Sequence, residues 1–146
     1  MGRTKQLFSN EEQQALAVKI VRFFNAAFAR KVIGSRALIE AIVSAEDAGY
    51  THDEMRIAFW AARCLDDGDN WLRGVLKSGA GPELVLRHAG HVNPITGKPA
   101  KRWLDDLTSR IRETNPAIVG RILNSLPEDM REDEASLLER MEVAYE

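Results

Sequence analysis

The chain has 146 residues, of which 45% are hydrophobic and 29% are charged, so it holds enough apolar material for one globular domain with its own core. Its single cysteine, Cys64, excludes an intramolecular disulfide and is typical of a protein kept in a reducing compartment. The sequence contains neither a secretory leader pattern nor the roughly 18 uninterrupted apolar residues that a membrane span needs. We therefore expect a soluble, cytoplasmic protein.

The formal net charge of −2 conceals four blocks of alternating sign. Counting Lys and Arg against Asp and Glu, the blocks carry +5 over 1–36, −6 over 40–70, +5 over 71–112 and −6 over 127–146. Such blocks either produce a basic surface that attracts nucleic acid or an acidic partner, or neutralise one another inside the fold or across a homodimer. The sequence leaves both alternatives open.

The first 50 residues predict two amphipathic helices. Ser9 begins a capping box, and apolar residues then recur at spacings of three and four to about Lys31, before Gly34 ends the first helix. Ser35 is placed to cap the second helix, which Gly49 ends.

A third helix has the strongest local signals in the chain. Thr51 and Glu54 have the spacing of a capping box, and Tyr50 and Met55 that of a hydrophobic staple. A broad apolar face follows, formed by Met55, Ile57, Phe59, Trp60, Ala62 and Cys64. This pattern predicts a central core helix.

The junction between the second and third helices invites comparison with a helix-turn-helix. Ala45 and Gly49 match the small residue and the turn glycine of that motif. However, the second helix would begin with His52, Asp53 and Glu54, and its carboxylates would face phosphates and base acceptors. A plain helical hairpin is therefore the preferred interpretation.

The segment 65–99 mixes turns with short helical patterns. The acidic turn at 66–70 lacks the spacing of a calcium loop and is expected to cap a helix over 70–77. A short helix is predicted after Pro82, and an irregular loop over 90–99.

Three further helices are predicted over about 100–112, after Asn115-Pro116 and after Pro127. Together the patterns predict an all-α protein, a compact single-domain bundle of about seven or eight helices spanning residues 1–146. Several of these helices are short. Residues 1–8 are expected to be flexible, and 127–146 to contain an acidic C-terminal helix.

A resemblance to a known group of proteins covers about residues 45–91. The order of helical hairpin, acidic turn, WLRGVL, Ser-Gly and short helix resembles the C-terminal helical region of phage replisome-organiser and replication-initiation proteins. The resemblance implies that Trp71 is a packing anchor and that Arg73, Lys77 and Arg87 are basic contacts with DNA.

The basic residues of 73–112 are the candidate contacts with nucleic acid. Several cations lie near Trp103 in sequence, and cations beside an aromatic ring suit phosphate contacts with stacking. Trp103 itself lies on the helical stripe of Leu104 and Leu107 and is expected to pack inward. The candidate contacts are Arg73, Lys77, Arg87, His88, His91, Lys98, Lys101 and Arg102.

Catalysis has little support, because the sequence shows no nucleophile motif, nucleotide fingerprint or compact set of metal ligands. No cofactor or metal is expected. The first hypothesis is a non-enzymatic DNA-associated accessory protein of phage or mobile-element type. The alternatives are a protein-binding adaptor or phage-encoded inhibitor that uses acidic or apolar helix faces, and a helical enzyme with a site assembled from distant helices. DNA is thus the first expected partner, a protein partner and a homodimer are the others, and no membrane partner is expected.

Overall fold

The computed structural model describes residues 11–64, 81–87 and 103–146, and every regular element in these ranges is an α-helix. The all-α prediction is confirmed for these residues, whereas the predicted helix over 70–77 and the loop over 90–99 lie outside them. None of the described helices is both long enough and apolar enough to cross a bilayer. The described helices are α1 (Glu11–Phe28), α2 (Arg36–Asp47), α3 (His52–Cys64), α4 (Glu83–Arg87), α5 (Trp103–Ile111), α6 (Pro116–Ser125) and α7 (Glu128–Arg140).

Helix α3 lies at the centre of the fold. All eight residues from Met55 to Ala62 are buried, and α3 packs against α1, α2, α4, α5 and α7. Its Trp60 ring lies 5.0 Å from the ring of Phe23, and its Phe59 ring packs edge-on against Phe24 at 6.4 Å between centroids. The prediction of a central core helix is therefore confirmed.

Three helix starts follow the capping signals of the sequence, whereas Ser9, the predicted cap of α1, lies outside the described residues. The Thr51 amide donates to Glu54 Oε1 at 2.9 Å, while the Glu54 amide donates to Thr51 Oγ1 at 3.1 Å. Ser35 Oγ accepts from the Leu38 amide at 3.2 Å at the start of α2, and Asn115 caps α6. Each contact satisfies backbone donors that the first turn leaves unpaired.

Three helix ends use a residue with positive φ. Ala29 follows α1 with φ of 54°, Gly49 follows α2 with φ of 96°, and Glu142 follows α7 with φ of 61°. In each case the next amide bonds to the carbonyl five residues back, at 2.9–3.1 Å, which is the Schellman arrangement. The predicted end of α1 at about Lys31 was therefore too late, because Ala29 ends the helix without a glycine.

The acidic C-terminal helix predicted within 127–146 is present and is docked on the core. Met130, Leu137 and Leu138 of α7 are buried, and the residues after α7 return along α6, where the Glu146 amide donates to the Pro116 carbonyl at 3.1 Å. The Glu146 backbone lies so close to Gly120 that a Cβ there has no room. Glycine inside α6 thus permits a close approach of two backbone segments.

Candidate functional site

The basic face of α1 is paired with the acidic face of α7. Lys19 Nζ lies 3.5 Å from Asp133 Oδ2, and Arg22 forms a short ion pair with Asp129. All four side chains are 45–67% exposed, so each pair is worth little energy by itself. The pairs nevertheless show that the first basic block and the last acidic block meet inside one folded chain.

Behind these pairs lies a buried polar cluster that joins α3 to α7. Arg56 Nη2 donates to Asp133 Oδ2 at 2.8 Å and to Glu134 Oε2 at 2.9 Å, and Trp60 Nε1 donates to Glu134 Oε1 at 2.8 Å. Arg56 is 7% exposed and Glu134 is 4% exposed. Because a buried charge is tolerated only when it is paired and hydrogen-bonded, this cluster fixes the position of α7 on α3.

The sequence interpretation missed this cluster, although a signal for it exists. Arg56 interrupts the apolar run of α3, and Glu134 lies four residues from Met130 and four from Leu138 on the buried side of α7. Charged residues of opposite sign on two apolar faces are candidates for a buried pair.

The acidic first turn of α3 faces other parts of the protein. Arg140 donates two hydrogen bonds to Asp53, at 2.9 and 3.1 Å, and the hydrogen bond from this guanidinium holds the pKa of Asp53 below its usual value of 3.8, against an opposing effect of burial. His52 Nε2 lies 2.7 Å from Glu46 Oε2. With residues 55–62 buried, α3 has no face with which to enter a DNA groove, which agrees with the helical-hairpin interpretation.

Cys64 lies half-buried at the edge of the hydrophobic core. It is a free thiol packed against the core cluster, and burial raises its pKa to about 11. The described residues contain no group of three His, Cys, Asp or Glu side chains that could hold a metal ion.

Of the eight predicted DNA contacts, only Arg87 lies within the described residues. Arg87 ends α4, and only its backbone position is described. The other seven candidates lie outside the described residues and are Arg73, Lys77, His88, His91, Lys98, Lys101 and Arg102. The DNA site therefore stays a prediction.

A groove of about 480 Å³ lies between α1 and α2. Its apolar floor is formed by Ala17, Val18, Val21 and Ile39. The polar groups of the lining come from Gln14, Ser35, Arg22 and Arg36. No Asp or Glu is among the described residues that line it. The described part of the groove thus combines an apolar floor with two arginines.

An exposed aliphatic side chain, Val18, lies in the lining of this groove. Val18 is 58% exposed and Ile33, next to Gly34 of the groove wall, is 86% exposed. They are two of the three exposed large hydrophobic side chains among the described residues, the third being Ile118 on α6. Apolar surface gathered beside a groove is typical of an interaction site, whereas a single exposed aliphatic residue needs no explanation.

The wall of the groove is held in place by the segment that joins α1 to α2. Asn25 of α1 donates to the Val32 carbonyl and accepts from the Val32 amide, both at 2.9 Å. Ser35 then caps α2. Because these bonds fix the segment at its middle and its end, the groove is formed before any ligand arrives.

Comparisons of this chain with protein-family models, with curated proteins and with solved structures found no match. The resemblance to phage replisome-organiser proteins likewise stays a prediction, since its acidic turn and tryptophan lie at 66–71, outside the described residues. The groove and the distribution of charge are therefore the features of the described residues that bear on function.

Proposed function

We propose that the protein is a non-enzymatic protein-binding module that receives an apolar stretch of a partner helix in the groove between α1 and α2. The observation that carries this proposal is the exposure of Val18, at 58%, on the floor of a groove whose described lining is largely aliphatic. Covering this surface removes apolar area from water, which is the main favourable contribution to association.

The shape of the groove supports a helix as the ligand. Val18 and Val21 lie on α1 and Ile39 lies on α2, so the apolar floor of the groove runs between two helices. Amphipathic helices commonly bind by laying apolar side chains, spaced three and four residues apart, into such a groove. The two ionisable side chains in the described lining are both arginines, and arginine stays charged and is a poor proton acceptor. These groups do not suit acid–base catalysis.

The acidic segments offer less support for a binding surface than the groove does. Asp129 and Asp133 are engaged by α1, and Glu134 is buried with Arg56. A basic partner would have to compete with these contacts. Of the two protein-binding surfaces considered from the sequence, we therefore favour the apolar one.

The proposal is tested by mapping the binding of a helical peptide on the full chain. The probe is an amphipathic peptide of about 18 residues, or five turns, with leucines along one side. Peptide titrations followed by amide chemical shifts should perturb Ala17, Val18, Val21 and Ile39, and Val18→Ser should weaken binding. Ile118→Ser is the matched control, because it removes an exposed aliphatic side chain outside the described groove lining and should leave affinity unchanged. Absence of binding, or shifts confined to other helices, would refute the proposal.

We also propose DNA association as a second candidate function, of the accessory type found in phages and mobile elements. It is supported by the eight Lys and Arg against three acidic residues in 71–112. The structure adds that Asp129, Asp133 and Glu134 of the last acidic block pair with α1 and α3. The described partners of these three carboxylates thus lie outside the basic block 71–112.

A DNA titration over a range of salt tests this second candidate. Fluorescence anisotropy with single- and double-stranded oligonucleotides should give an affinity that falls steeply as salt rises, because phosphate contacts release counterions. The triple variant of Lys98, Lys101 and Arg102 to alanine should weaken binding, while Arg121→Ala, outside the block, should not. No binding of either DNA form at low salt would eliminate the candidate.

A further inference from the structure

We draw no further inference here: the strongest candidate, the cavity of about 290 Å³ among α1, α3 and α7 that Lys19, Arg56 and Arg140 line, carries none, because each of these cations is already paired with a carboxylate of the chain and nothing in the described residues shows what would occupy the cavity.

Discussion

Replacing Glu134 by glutamine tests whether the buried cluster between α3 and α7 fixes the C-terminal helix. The carboxylate accepts one hydrogen bond from Arg56 and one from Trp60, at 2.9 and 2.8 Å. Glutamine has almost the same shape but offers only one acceptor oxygen, and its NH₂ group would oppose one of these two donors. Glu134→Gln therefore leaves a buried donor unsatisfied and removes the main counter-charge of Arg56.

The expected loss of stability follows from burial. Removing one member of a buried, hydrogen-bonded ion pair costs about 3–5 kcal/mol. Asp133 remains 2.8 Å from Arg56 and is 45% exposed, so it compensates in part. We expect a loss of about 3 kcal/mol, or about 10 °C in Tm for a chain of this size.

Urea unfolding followed by far-UV circular dichroism measures this loss, with the slope of the transition used to check two-state behaviour. The matched control is Asp133→Asn, the neighbouring half-exposed carboxylate, for which we expect at most about 1 kcal/mol. A loss below about 1 kcal/mol for Glu134→Gln, or equal losses for the two variants, would refute the reasoning.

A combined replacement separates the cost of an unpaired charge from the value of the pair. Arg56→Met with Glu134→Leu and Trp60→Phe removes the two charges and the indole donor together. Apolar replacement of a whole buried pair is often close to neutral, so this triple variant should be more stable than Glu134→Gln. A triple variant that is less stable than Glu134→Gln would mean that the ion pair itself carries net stability.

Three further predictions concern single residues. Ala29→Gly should stabilise the protein by about 0.5–1 kcal/mol, since glycine adopts the positive φ of this helix end without a Cβ penalty. The control Ala26→Gly, inside α1, should destabilise the protein by about 1 kcal/mol. Urea unfolding of both variants measures the sign of each change in stability, and equal losses of stability would contradict the prediction. Cys64 should react with a disulfide reagent near pH 8 about a hundredfold more slowly in the folded chain than in urea, because its pKa is raised from 9.0 to about 11. Equal reaction rates in the folded and the urea-unfolded chain would contradict the burial of this thiol. Arg140 lowers the pKa of Asp53 in the folded protein, so the contribution of Asp53 to stability is complete above pH 3.8 and is lost as the pH falls through the lower folded pKa. The stability of Asp53→Asn, measured by unfolding down to low pH, should therefore fall less steeply with acid than that of the unchanged protein. Identical dependences of stability on pH would contradict the role of Asp53.

The helix starts were predictable because their signals are local. The side chains of Ser35 and Thr51 bond to amides three residues away, so the sequence pattern contains both partners. The end of α1 was not predictable in the same way. Ala29 adopts positive φ although alanine does not favour it. Gly34, the glycine that the sequence offers as the end of the helix, lies further on, within the segment that joins α1 to α2.

The candidate site was less accessible to sequence reasoning because it depends on tertiary packing. Val18 belongs to a helix with a clear apolar face, but only the placement of α2 shows that it stays exposed beside Ile39. The charge blocks were visible in the sequence, yet which blocks meet was decided by the docking of α7 against Lys19 and Arg56. A local pattern can mark a charged residue on an apolar face, but it does not show which distant residue pairs with it.

The cluster around Arg56 also constrains the order of events as the chain is made. Arg56 precedes its partners Asp133 and Glu134 by 77 and 78 residues, an interval of several seconds at the roughly 5–20 residues per second of protein synthesis. During this interval the central helix carries a cation for which its two carboxylate partners do not yet exist. We expect ribosome-stalled chains that stop before α7 to be cut rapidly by protease within α3, and protection to appear only when the last helix has emerged.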